Sequence, residues 1–269
     1  MPSADKTEQI NHNGPEAGTG RLVGKTAFLT GSAGGLGSGI ARRMFAEGAR
    51  VALADIDIDS ATEIAHELDA SGKQAFAFKL NVSNSTEVRD VVDAVQAWGG
   101  SVDILINCAG VNSHHPALEL PEEEWDRVIE INLKGTFLVS QAVGRVMKPH
   151  TNATIINISS TSAEVARSTS IHYAASKGGV RQLTKGFAAA LAPSGIRVNA
   201  IGPGPVLTSL NERRLSDPDE LKRSLERVAL GRLGTPWDIA GAAMFLATED
   251  AAFITGTTIY VEGGLLSMR

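Results

Sequence analysis

The chain lacks most of the features that announce a specialised chemistry. A single cysteine, Cys108, stands among 269 residues, which excludes an internal disulfide framework, and no Cys/His spacing resembles a zinc site, so no metal is expected. Both absences fit a reducing compartment, and the cytoplasm is the expected location. Basic residues are not in excess: 25 lysines and arginines face 30 acidic residues, a net charge of −5. No overall attraction to nucleic acid or to anionic lipid follows, and neither is expected as a partner. No run of about 18 uncharged apolar residues occurs, so no membrane span is expected. Residues 1–20 contain no apolar stretch of the signal-peptide kind and read as a flexible tail. Internal repeats and a Pro/Gly/Ser-rich linker are also missing, so residues 21–269 are expected to form one domain.

What is present is an alternation of short β-rich runs with longer helical patterns from Lys25 onward. Strands are expected at 26–30, 50–54, 74–80, 103–107, 154–159, 197–201 and 257–261. Helices are expected at 61–71, 86–98, 122–148, 174–191 and 237–247. This is the pattern of stacked βαβ units, and it predicts an α/β, Rossmann-type doubly wound fold: a seven-stranded parallel sheet with helices on both faces. Residues 202–232 break the alternation with two early prolines and a charged amphipathic segment at 211–228. An excursion of this kind in a compact domain suggests a substrate lid over about 205–230.

Directly after the first expected strand comes Thr30-Gly31-Ser32-Ala33-Gly34-Gly35-Leu36-Gly37, and a helical pattern follows it. Glycines permit a tight turn and close backbone approach, while the free N–H groups at the helix start favour a pyrophosphate. A lone Gly-rich turn is weak evidence; the flanking strand and helix supply the context that strengthens it. Asp55 follows Gly37 by 18 residues, close to the ~20 expected for the acidic residue that accepts the ribose hydroxyls. Its charge would repel a 2′-phosphate, selecting NAD over NADP. The competing reading is a solvated turn aspartate, with Asp57 and Asp59 beside it. The fourth strand ends in Asn107-Cys108-Ala109-Gly110, at the sheet edge where open α/β sheets bind ligands. Cys108, between small residues, reads as an inert packed thiol.

Tyr173 and Lys177 stand four residues apart on one helix face. Ser160 precedes Tyr173 by 13 residues and ends the fifth strand. Asn132 lies inside a long helical pattern although asparagine is a poor helix-interior residue, and the following Gly135 weakens the same turn. Locally broken rules of this kind tend to mark functional sites. A free phenol ionises near pH ~10, so service as a base near neutrality needs roughly 3 kcal/mol of help. One ammonium ~5 Å away at an effective dielectric of ~20 is worth roughly that much, so Lys177 is expected to lower the pKa of Tyr173. Ser160 would donate to the alkoxide that develops in the transition state.

Taken in order, T-G-x-x-x-G-x-G, N-x-A-G, a mid-helix Asn, Ser, Y-x-x-x-K and Pro203-Gly204 resemble the short-chain dehydrogenases/reductases over about residues 20–267. The resemblance implies a hydride exchanged between NAD and a secondary alcohol or ketone. It makes Tyr173 the general acid/base and Ser160 the residue that positions the substrate oxygen. Lys177 would bind the nicotinamide ribose and activate Tyr173, and Asn132 would support a water-linked proton relay. It further implies cofactor contacts from Gly31, Ser32, Gly35, Leu36, Gly37, Asp55, Asn81, Val82, Asn107, Ala109, Gly110, Tyr173, Lys177, Pro203, Gly204, Val206 and Thr208. It also implies a homotetramer. The chain departs from the family's usual pattern at Asn81, where an aspartate commonly meets adenine, at Cys108, where a second asparagine is frequent, and at Glu262.

The polar residues expected around the substrate are His114, His115, Ser162, Glu164 and Arg213, with Arg214 beside the last. Their polarity points to a small hydroxylated substrate, a sugar or polyol. Two rivals stand: a 3-oxoacyl thioester reductase, in which Arg213 and Arg214 would meet a phosphorylated carrier, and an NAD-sensing regulator without turnover.

Overall fold

Strands that carry apolar residues on both faces must be covered on both sides. Thr26–Thr30 (β1), Ile104–Asn107 (β4), Thr154–Ile158 (β5) and Arg197–Pro203 (β6) are buried along their whole length. With Arg50–Asp55 (β2), Ala75–Lys79 (β3) and Thr258–Val261 (β7), they make one sheet in the order β3-β2-β1-β4-β5-β6-β7. Every pairing is parallel. The chain leaves β1 toward β2 on one side and returns to β4 on the other, so a crevice opens between β1 and β4 at their carboxyl ends. The computed structural model describes residues 19–149, 151–208 and 216–268.

Helices Gly35–Ala46 (α1), Ile58–Leu68 (α2), Ser85–Gly99 (α3), Glu122–Ile129 (α4), Thr136–Val146 (α5), Ile171–Leu191 (α6), Pro218–Glu226 (α7) and Pro236–Ala247 (α8) follow in chain order. Two cores result. Ile40 and Met44 of α1, Ala65 of α2 and Ile239 and Met244 of α8 close over Leu29, Leu53 and Ile156 on one face. Val88, Val92 and Val95 of α3 and Val139 and Val143 of α5 close over Phe28, Leu105 and Ile155 on the other. The apolar spacing of three and four residues in α3 is the helical period. Asn84 caps its start by accepting from the N–H groups of Thr86 and Glu87.

The expected fold class and all seven strands are found, with ends shifted by one or two residues. The long helix expected at 122–148 is instead interrupted by a π-helical turn, Glu130–Gly135, between α4 and α5. Helix α6 begins three residues before its expected start, which puts Tyr173 inside the first turn. In the excursion after β6 the structure describes Val206 bridging to Gly234 and then α7, started by Asp217 as its cap. Residues 209–215, with Arg213 and Arg214, lie outside the described residues, as do residues 1–18 of the expected tail. Thr19, also assigned to that tail, is held in place: its N–H and hydroxyl donate to the buried Glu47 at 2.9 and 3.0 Å. Among the described residues no helix is long and apolar enough to cross a membrane.

Candidate active site

The turn after β1 is tight enough that only glycine fits at two points. Gly31 has a φ of 67°, and a Cβ there would lie 2.6 Å from the Ala109 backbone. A Cβ on Gly37 would collide with the Gly31 carbonyl oxygen. The turn feeds α1, whose cap Gly34 offers no side-chain oxygen and whose first turn carries no acidic residue. Its leading N–H groups are therefore left for an anion. In front of them lies a cavity of about 490 Å³. Asp55 lines it, fixed by accepting from the N–H groups of Ala33 at 2.9 Å and Asp57 at 3.1 Å. Asp57 lines the cavity as well, and among the described residues no lysine or arginine does. Glycine amides toward a pyrophosphate and a pinned carboxylate toward a diol suit a dinucleotide.

A second cavity, of about 500 Å³, opens beside the first, and the consecutive residues Val111 and Asn112 line one and the other. Ser160 and Tyr173 both face it. Ser160 is buried and starts a short 3₁₀ turn, its Oγ accepting from the Ser162 N–H at 3.0 Å. Lys177 lies one turn beyond Tyr173 with its Nζ 5.6 Å from the ring centre, donating to the Ile158 carbonyl at 2.8 Å. The Lys177 ammonium also stands 3.5 Å from where a Cβ on Gly110 would be. A side chain there would crowd the ammonium.

The electrostatics differ from the sequence expectation. Tyr173 is pushed above the ordinary phenol range, because burial outweighs the hydrogen bond from Ser160 that favours ionisation. The same burial brings Lys177 down to about 8. A cation that is itself poorly solvated and bonded to a carbonyl does not dominate its neighbour, and the lowering expected for Tyr173 is not found. Cys108 is pushed up to about 12 by burial, which suits a packed thiol and not a nucleophile.

Asn132 explains the break in the long helix. It is fully buried, its Oδ1 accepting from the Val111 N–H at 2.8 Å while its Nδ2 donates to the Val111 carbonyl at 2.9 Å and to Ser176 Oγ at 3.1 Å. The widened π turn carries this side chain across to the loop after β4 and to α6.

The expected cofactor residues divide by position. Gly31, Gly35, Leu36, Gly37, Asp55, Asn81, Val82, Ala109, Gly110 and Thr208 line the first cavity. Ser32 does not, since its hydroxyl is buried and donates to the Ala54 carbonyl. Asn107 is likewise buried below the cavity floor, donating to Ser140 and to Asn157. Pro203 is the last residue of β6 rather than a turn, and the next N–H, of Gly204, extends the ladder to Val261. Gly204 faces the second cavity, and Val206 is packed in the core.

Of the expected substrate residues, His114 and Ser162 line the second cavity. His115 packs edge-on against His172 behind it, with ring centres 6.5 Å apart. Glu164 turns away, accepting from Tyr260 and pairing with Arg181. Sequence reasoning missed Arg167 and Arg227, which also line the second cavity. Arg167 sits in an irregular stretch, where periodicity says nothing about direction, and Arg227 at the end of the charged helix α7, where it reads as a solvated residue. It also missed the buried His172, whose Nε2 lies 2.9 Å from Ser113 Oγ. No group of three or more His, Cys, Asp or Glu side chains among the described residues is placed to hold a metal ion.

Comparison with known proteins agrees with this geometry. A family model described as enoyl-(acyl carrier protein) reductase matches residues 31–266. The 5-keto-D-gluconate 5-reductase of Escherichia coli K12 is 37% identical over 91% of this chain and 96% of its own length. The D-threitol dehydrogenase of Mycolicibacterium smegmatis is 40% identical over 91% and 94%. The crystal structure of a gluconate 5-dehydrogenase from Burkholderia cenocepacia, in complex with NADP and tartrate, superposes with a TM-score of 0.88 at 37% identity, covering 92% of this chain and 97% of that one. Fold, motif order and site geometry thus converge with these likenesses, and the chain belongs to the short-chain dehydrogenase/reductase family of nicotinamide-dependent oxidoreductases.

Proposed function

We propose that this enzyme exchanges a hydride between NAD and a secondary alcohol or ketone on a small hydroxylated substrate, a sugar, sugar acid or polyol. One observation carries the reading: Ser160 and Tyr173 face one cavity, and the Lys177 ammonium lies 5.6 Å from the Tyr173 ring and beside Gly110 of the glycine-lined cavity. The names of the relatives, acting on keto-gluconate, threitol and gluconate, support the substrate class.

The bound dinucleotide supplies the hydride acceptor or donor. The chain's own residues handle the oxygen and the proton. Ser160 Oγ hydrogen-bonds the substrate oxygen and fixes the reacting carbon. Tyr173, whose protonated form burial favours, gives its proton to the oxygen of a ketone and takes it back from an alcohol. Lys177 binds the ribose hydroxyls and places positive charge beside the phenol, stabilising phenolate when the proton leaves. Asn132 fixes the Val111 peptide at the junction of the cavities, and its helix turn opens the route by which water resupplies the proton. Asp55, with Asp57 beside it, accepts the ribose hydroxyls and repels a 2′-phosphate, which favours NAD. Arg42, the nearest candidate for a phosphate partner in α1, is taken up by Glu67.

The test follows formation and consumption of NADH and NADPH with a panel of polyols, aldonates, simple secondary alcohols and 3-oxoacyl thioesters. Turnover of a polyol or aldonate with NAD at least ~10-fold above the rest, or about 1.4 kcal/mol, supports the reading. A best rate on the acyl thioester, or tight NAD binding without turnover of any compound, overturns it.

A further inference from the structure

We propose that the substrate carries a carboxylate, gripped by Arg167 and Arg227 at the mouth of the second cavity while Ser160 and Tyr173 address a hydroxyl or ketone carbon farther along the same molecule. The proposal rests on the reading of that cavity given above and narrows it to hydroxylated acids, aldonates or keto-aldonates. Arg167 comes from the loop between β5 and α6, and Arg227 from the residue that ends α7. Two separate elements thus bring a guanidinium each to one cavity, and among the described residues that line it there is no aspartate or glutamate. In a chain with five more acidic than basic side chains, such a meeting runs against the overall charge. None of the ion pairs among the described residues involves Arg227, whose side chain is exposed.

Neutral polyols are recognised by groups that both donate and accept, and the cavity already has these in Ser162 and Asn112. They gain nothing from two fixed positive charges. A carboxylate matches the planar fork of a guanidinium with paired hydrogen bonds. A phosphate matches the same fork, and the alditol phosphates in the experiment separate it from a carboxylate.

The experiment compares kcat/KM, with NAD, for five- and six-carbon aldonates, for the alditols of the same configuration and for the alditol phosphates. At least one aldonate is expected to exceed its alditol by about 30-fold or more, with a KM that climbs with salt. R167A and R227A should each reduce that aldonate-over-alditol ratio about tenfold, mainly through KM, and R227K should restore part of it. Circular dichroism of each variant separates misfolding from lost recognition; if an alanine variant misfolds, R167Q or R227Q gives the ratio instead. Alditols or phosphates turned over better than every aldonate, or a ratio unmoved in both variants, would overturn the carboxylate and leave the oxidoreductase reading standing. Absence of turnover across all three classes overturns both.

Discussion

The two cavities meet at one peptide, yet they recognise charge by opposite means. The glycine-lined cavity offers backbone amides, and among the described residues the charged side chains that line it are the carboxylates of Asp55 and Asp57. The second cavity carries Arg167, Arg227 and His114 and, among the described residues, no carboxylate. Backbone recognition demands close approach, so it is enforced by glycines whose replacement would collide with neighbouring main chain. Side-chain recognition from loops demands no such fit, so it can differ between relatives without disturbing the sheet.

The division is broken most severely at the residue beside the seam. Tyr173→Phe removes the exchangeable proton and leaves the glycine turn, Asp55 and the ring's packing intact. We expect kcat to fall by about 10³-fold or more, roughly 4 kcal/mol in the barrier, while the dissociation constant for NAD, read by fluorescence titration, stays within about threefold. Comparable losses in both would mean that the phenol serves cofactor binding, and the two cavities would not be separable.

A smaller effect is expected on the dinucleotide side alone. Asp55→Asn keeps an acceptor for the Ala33 N–H but removes the charge. The NAD-over-NADP ratio in kcat/KM should fall by about 10–30-fold, about 1.4–2 kcal/mol, with the KM of the organic substrate unchanged. An unaltered ratio would move cofactor selection to Asp57 or elsewhere.

The unequal legibility of the two cavities has the same origin. The glycine turn, Asp55, Ser160 and the Tyr173–Lys177 pair were readable because strand and helix periods fix which way each points. Asn132 was readable as a helical misfit, though not as a π turn: the cause is a long-range bond to the Val111 peptide, which no local pattern records. Arg167 and Arg227 were not readable, and Glu164, expected around the substrate, stands outside the lining of the second cavity. In irregular segments direction is set by tertiary partners, here Arg181 and Tyr260, which capture the Glu164 carboxylate. Ser32 and Asn107 fall between these cases. Each adjoins cavity-lining residues in the sequence, but its side chain turns into the protein to satisfy buried polar neighbours.

The smallest expected effect concerns stability, and it sharpens what the seam between the cavities costs. Lys177 is buried, and its ammonium is brought from an ordinary 10.5 to about 8 by loss of solvent. Below about 8 both folded and unfolded chains hold this proton, so the burial penalty acts in full. Between about 8 and 10.5 the unfolded chain keeps a proton that the folded chain has released, and stability contributed by this group rises with pH. Lys177→Met removes the penalty but leaves the Ile158 carbonyl without its donor, which costs about 1 kcal/mol. At about pH 7 the variant should therefore be more stable than the parent by about 1–2 kcal/mol in urea unfolding, even as turnover collapses. The difference should shrink as the pH approaches about 9.5 and the parent recovers. Cys108 acts in the opposite sense, since its raised thiol pKa erodes stability above about 9 in both proteins; comparing parent with variant at each pH cancels most of that contribution. A variant less stable than the parent at neutral pH would show that the ammonium is well accommodated where it sits, and would remove the electrostatic strain from the account of how Lys177 serves Tyr173.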